Sequence, residues 1–265
     1  MEDRAQPAYW QGRIATAQRW SQGLADRDAI GGRPVVAVWA AIFAEQTGRP
    51  TEAEWWADAV DRWQYGDAAR PADPRAEAWA ALLRAILCRH GVQRLRTDAD
   101  EAARGLAAAG IMAPGVLVMQ GIARVLCGDL EGGDLYFEDA VSIGEGGSSG
   151  EGGAPDIVAD ALCQRSLVAV APNQWSQAEA FASHARSVLR RAGKQDTHPP
   201  LCAVQARLAL HRGDLAAARR ELVTVQRLRS CRPTRTPVSQ FRPGSNLPAS
   251  TSPSATSLVP GHSCR

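Results

Sequence analysis

The sequence predicts an all-α fold, a solenoid of about five helix pairs. Three observations lead to this prediction: a turn signature that returns about every forty residues, a small residue at a fixed distance after it, and apolar residues at helical spacing beyond it. A period of this length holds one helix pair and is too short for an independent domain. Solenoids of this kind usually bind a partner along their concave face.

The turn signature is clearest at Gly48, Gly128 and Gly213, with weaker copies at Gly91 and Asn173. Successive copies are 37 to 45 residues apart. Glycine, or at some cost asparagine, adopts the left-handed backbone conformation that closes a helix. We therefore expect a first helix to end at each of these residues and a second helix to begin just after it.

The residues after the turn predict how the second helix packs. Asp129 and Asp214 are placed to cap it at its positive end. A small residue five positions past the turn would let two helix backbones approach closely; these are Ala53, Gly133, Ala178 and Ala218. The apolar stripes beyond are Pro50, Ala53, Ala57 and Val60 in the first pair, and Leu215, Ala218, Leu222 and Val225 in the fifth.

These patterns place the five pairs at about 34–64, 75–109, 115–143, 155–192 and 199–229, after a leading helix at 8–29. The Gly-rich run 144–153 resembles a phosphate-binding loop only superficially. It has no Lys followed by Ser or Thr and it carries two carboxylates, so we interpret it as a flexible connection. Among the tryptophans, Trp56 and Trp63 are expected in the core and Trp55 at the surface.

Composition favours a cytoplasmic protein. The 265 residues are 45% hydrophobic with a net charge of +2, and the six cysteines form no Cys-x-x-Cys pair, as expected of buried free thiols. No signal peptide is recognised, and the longest apolar run, 35–44, is too short to span a bilayer. We therefore expect no membrane association.

A search for catalytic chemistry finds no support for an enzyme. The five histidines are dispersed without a second ligand at metal spacing, and no Gly-x-Ser-x-Gly, His-Glu-x-x-His or Walker motif is present. We expect no catalytic residue, no cofactor and no metal. An enzyme with an unrecognised site remains the third alternative.

The run 203–219, the Gly48 repeat and the forty-residue period together resemble the tetratricopeptide-like region of MalT-like LuxR-family transcriptional regulators of actinobacterial type. The resemblance covers about residues 15–229 and implies a right-handed αα-solenoid that acts as a sensor and interaction arm. The family's nucleotide-binding and helix-turn-helix modules are not recognised in this chain, so ATP hydrolysis and sequence-specific DNA binding are not implied. The alternative is a free-standing tetratricopeptide-type adaptor that binds a peptide or protein.

The sequence divides into a repeat domain, 1–229, and a tail, 230–265. Half of the tail is Ser, Thr or Pro, and it contains no Asp or Glu, which predicts disorder. GC-rich codons read in a shifted frame from Ser230 permit a sixth repeat with its Gly-Asp-Leu turn on period. We therefore hypothesise that the chain is a truncated, frameshifted fragment, whose uncapped fifth pair frays or self-associates.

Three polar residues form the candidate ligand site. Gln120, Arg165 and Gln205 each stand eight residues before a turn, at equivalent positions on successive first helices. First helices usually line the inner face of such a solenoid, so this row would suit a peptide, a protein or a small polar effector. The competing interpretation is that the three are polar only for solubility.

Overall fold

The computed structural model describes residues 34–46, 48–65, 73–111, 113–146, 154–194 and 198–231. Within these ranges the chain forms ten helices and no strand: α1 Pro34–Gln46, α2 Pro50–Tyr65, α3 Pro74–Leu87, α4 Val92–Ala108, α5 Pro114–Leu126, α6 Leu130–Gly146, α7 Pro155–Val170, α8 Trp175–Arg191, α9 Pro199–His211 and α10 Leu215–Cys231. They form five consecutive pairs, α1–α2 to α9–α10, and each pair packs on the next. The predicted all-α helical-repeat fold is confirmed.

The five predicted turn residues all have left-handed backbone conformations. Their φ angles are 75° at Gly48, 82° at Gly91, 92° at Gly128, 62° at Asn173 and 76° at Gly213. The two predicted caps form as well. Asp129 Oδ1 accepts from the Gly132 amide and Asp214 Oδ1 from the Ala217 amide, both at 2.8 Å. These contacts satisfy amides that the first turn of a helix leaves unpaired.

Proline begins the first helix of every pair, at positions 34, 74, 114, 155 and 199. Its fixed φ angle suits the first helical turn. Proline has no amide hydrogen, and this costs nothing there because amides of the first turn have no partner within the helix. The first helix of each pair therefore begins at a proline and is followed by a left-handed turn residue. This second periodic signal follows from the same physical requirements as the turn signature.

The small residues predicted after the turns lie where paired helices pack closely. Ala53, Ala178 and Ala218 are all buried. At Gly133 an added Cβ would lie 2.5 Å from Val125 Cγ2 and 3.0 Å from the Gly121 carbonyl oxygen, so α5 would have to shift to accept an alanine there. Close approach of paired helices is thus observed where the sequence predicted it.

Aromatic packing is concentrated in the first two pairs. Trp39 and Trp79, on α1 and α3, are buried with ring centroids 4.8 Å apart. Trp56 is buried as predicted, whereas Trp63 is half-buried. Trp55 is also half-buried, because it packs edge-on against Trp56 at 4.7 Å.

The second helix of the fifth pair has exposed apolar side chains, as expected of an uncapped pair. Ala218 is buried, but Leu215 is 70% exposed and Leu222 is 46% exposed. The stripe on α10 is helical as expected, yet no described helix follows to cover it. Helix α10 continues to Cys231, two residues past the predicted end of the repeat domain.

No helix within the described ranges is long and apolar enough to cross a membrane. The leading helix at 8–29, most of the Gly-rich connection and the tail beyond residue 231 lie outside the described residues. The domain division and the frameshift hypothesis stay predictions.

Candidate functional site

The three predicted ligand residues lie on α5, α7 and α9, the first helices of successive pairs, as expected. Each contacts the second helix of the preceding pair. Gln120 is buried, and its Nε2 atom donates to Asp100 Oδ1 on α4 at 2.8 Å. The side chain that was expected to face a ligand therefore joins the third pair to the second.

Arg165 makes the most extensive of these contacts. Its Nε and Nη2 atoms donate to the two carboxylate oxygens of Asp134 on α6, each at 3.0 Å. Nη1 lies 3.5 Å from Glu138 one turn further along α6, and the guanidinium stacks over the Phe181 ring of α8 at 4.5 Å. This parallel pair of charge-assisted hydrogen bonds fixes α7 against α6.

Gln205 repeats the arrangement in the fifth pair. With its amide oriented to satisfy both ends, its oxygen accepts from Arg186 Nε and Nη2 on α8 at 3.1 and 2.9 Å, and its nitrogen donates to Glu221 on α10 at 3.1 Å. The polar row is thus a set of inter-pair contacts. A ligand would have to compete with them, and its binding by these three residues stays a prediction.

A charged cluster that the sequence analysis did not identify joins the first two pairs. Arg84 is 6% exposed; its Nε donates to Asp98 Oδ1 at 3.0 Å and its Nη1 to Gln64 on α2 at 2.5 Å. Arg89 contacts three carboxylates of α2, those of Glu54, Asp58 and Asp61. The three acids follow one another along α2, but their partner Arg89 lies in the turn between α3 and α4, so the spacing within α2 does not reveal it.

A cleft of about 420 Å³ opens beside this cluster. Its lining residues are Asp61, Tyr65, Arg84, His90 and Arg94. The lining therefore combines two guanidinium groups and an imidazole with the Asp61 carboxylate, around a space within the size range of small-ligand sites. Both guanidinium groups contact Asp98, Arg84 Nε at 3.0 Å and Arg94 Nη2 at 3.1 Å, but the side chain of Arg94 is 42% exposed and that of Arg84 only 6%, so Arg94 is the more accessible cation.

His198 is buried between the fourth and fifth pairs. Its Nδ1 accepts from the Leu201 amide at 3.3 Å and thereby caps α9, while its Nε2 lies 3.2 Å from Asp160 Oδ1 on α7. Burial lowers the pKa of His198, but the charge and hydrogen bond of Asp160, together with Asp156, raise this pKa by more. The net effect is a raised pKa.

The cysteines differ in burial. Cys163 and Cys202 are buried as expected, whereas Cys88 and Cys127 are only half-buried. Burial, reinforced by Asp160, raises the pKa of Cys163 well above its ordinary value, so this thiol is a poor nucleophile at neutral pH. Within the described ranges no group of three His, Cys, Asp or Glu side chains is arranged to hold a metal ion.

Three of the six exposed large apolar side chains of the described residues lie on α10. Leu215, Leu222 and Val223 are 70%, 46% and 36% exposed, and Arg219 stands between the two leucines on the same helical stripe. We call these four residues the α10 surface. Exposed apolar side chains clustered on one helix face are typical of a surface that packs against another element.

Comparison with known proteins gives little further information. No protein-family model matches the chain, and no curated protein matches it. Among solved structures it is similar to the crystal structure of BtubC (BKLC) from P. vanneervenii, at 16% sequence identity and a TM-score of 0.49. The alignment covers 96% of this chain and 99% of that one.

Proposed function

We propose that the chain is a non-catalytic protein-interaction arm built from helical repeats, and that it serves as the sensor arm of a cytoplasmic MalT-like LuxR-family regulator. The observation that carries the proposal is the α10 surface, which presents apolar side chains where a further helical element would pack. The resemblance of the repeats to that family supplies the regulatory context. The arm would then respond to a protein or a small effector bound on its concave face.

The DNA on both sides of the reading frame tests this proposal. A sensor arm should have nucleotide-binding and helix-turn-helix sequences encoded next to it. Purified flanking modules should then form a complex with this chain in analytical ultracentrifugation. If neither module is encoded nearby, the regulator assignment is wrong.

The arm is not expected to read DNA by itself. Tail arginines would give weak, salt-sensitive attraction to phosphates, but no recognition helix is identified among the repeats. An electrophoretic shift that survives about 200 mM salt and discriminates between sequences would contradict this expectation.

The cleft between the first two pairs favours the alternative, a free-standing adaptor. Arg94 and His90 beside a 420 Å³ cleft suit a carboxylate carried by a peptide. An adaptor should bind acidic peptides with an affinity that falls on Arg94→Ala, whereas Arg96→Ala, an exposed arginine of the same helix, serves as the control. Equal affinities for both variants would remove the cleft from consideration.

A further inference from the structure

The contacts between consecutive pairs define which face of a second helix receives the next pair. Counted from the left-handed turn residue, the contacting residues are Asp134 at position six, Asp100 at nine, Glu138 at ten and Arg186 at thirteen. These positions fall on one helical stripe. On α10 positions six, nine and ten are Arg219, Leu222 and Val223, so the α10 surface coincides with the face that the earlier second helices use for inter-pair packing.

We propose that the α10 surface docks an amphipathic helix of a partner, one whose apolar stripe is flanked by Asp or Glu. This inference rests on the proposed interaction role and gives the chemistry of what the arm binds. Leu215, Leu222 and Val223 provide the apolar contact. Arg219 provides the charge that selects the partner.

Arg219 is positively charged, whereas the residue at the same position of α6 is negatively charged. At position six the third pair has Asp134, and the helix packed on it brings Arg165. At the same position α10 has Arg219, followed by Arg220, and no carboxylate within the described ranges lies at salt-bridge distance from either. A helix packed there in the same manner should therefore bring a carboxylate where α7 brings its guanidinium.

Two other occupants are disfavoured by like charge. A second copy packing α10 on α10 would bring together two sets of Arg219, Arg220 and Arg227. The chain's own residues 232–265 contain four arginines and no acid. Like-charge juxtaposition at an interface opposes association, so an acidic partner helix fits the surface better than either.

The test uses the full chain and two labelled peptides of about 18 residues, long enough to form a helix when bound. Both carry the same leucine stripe; one is flanked by Glu and the other by Lys. We expect the Glu peptide to bind at least about 10-fold tighter in ~50 mM salt, and the difference to shrink near 500 mM, by fluorescence anisotropy. Arg219→Glu should abolish the preference, and Leu222→Asp should weaken both peptides.

Two matched variants serve as controls. Leu135→Asp changes a leucine that is 63% exposed on α6, and Arg96→Glu reverses an exposed arginine on α4; neither should alter peptide binding. Equal affinity for the two peptides, or no binding of either, would overturn the proposal. A free chain that is dimeric and becomes monomeric on Leu222→Asp would also overturn it, since the occupant would be a second copy. A flanking module that binds a chain unable to bind the Glu peptide would leave the proposed function intact while refuting this inference.

Discussion

Arg165 on α7 and Asp134 on α6 form two parallel hydrogen bonds of 3.0 Å that join the fourth helix pair to the third. The side chain of Arg165 is only 13% exposed, and that of Asp134 is 28% exposed. The pair occupies the face on which each second helix receives the following first helix. It therefore illustrates, at one point, how the repeats are held in register.

Removal of Arg165 should destabilise the chain measurably. Arg165→Ala leaves Asp134 and Glu138 near each other without their shared cation, and the loss of charged hydrogen bonds should cost about 1.5–3 kcal/mol in the free energy of unfolding. Urea denaturation measures the change. In a double-mutant cycle, Asp134→Asn should cost little more once Arg165 is absent; full additivity would show that the two side chains do not interact.

The turn residues should respond to substitution according to their backbone conformation. Gly128 has a φ of 92° with open space around its α-carbon. Backbone strain alone should therefore lower the free energy of unfolding of Gly128→Ala by about 1–2 kcal/mol. Gly128→Asn should lose less, because Asn173 adopts this conformation in the fourth pair. Gly146→Ala, also in open space but outside the left-handed region, is the control. An equal loss at both glycines would argue against the left-handed turn.

His198 should make stability depend on pH. Its folded pKa is raised above the ordinary value of 6.5, so the stabilisation is fully present below 6.5 and is lost as the pH rises through the folded value. Protonation also removes the acceptor that caps α9 at Leu201, which offsets part of the gain. His198→Asn keeps a capping oxygen without the titration.

The stability difference between the native chain and His198→Asn should therefore be larger near pH 5.5 than near pH 8. Chemical denaturation at the two pH values measures it, and the carboxylates of Asp156 and Asp160 and the amine of Lys194 are the neighbouring groups to keep unchanged. A difference that instead grows toward alkaline pH would mean that the capping role outweighs the charge pair.

The sequence predicted the helix pairs well because each turn needs a residue that tolerates a positive φ. Gly128 and Asn173 could be recognised for that reason, and the predicted pairs agree closely with the observed helices. Other features have no local signal. Cys88 also adopts a left-handed conformation, with a φ of 47°, and histidine is an uncommon cap at position 198.

The polar row shows a different limit of sequence reasoning. Gln120 was correctly placed on a first helix, but its contact with Asp100 depends on how two pairs pack. The same applies to Arg84, which was not singled out, although it lies at the centre of a buried charge cluster. Side-chain contacts between separate helices depend on tertiary packing. The spacing of residues along one helix does not predict them.

Hydrogen exchange in the free chain tests the central claim, that the fifth pair has an uncovered packing face, most directly. The account predicts that amides in residues 199–229 exchange at least about 10-fold faster than those in residues 115–143. A helix whose apolar side chains are exposed makes fewer stabilising contacts and so has a lower opening free energy. Extending the chain through the shifted-frame sixth repeat should slow exchange in 199–229 and reduce aggregation. Protection of the fifth pair equal to that of the third in the unextended chain would contradict the account.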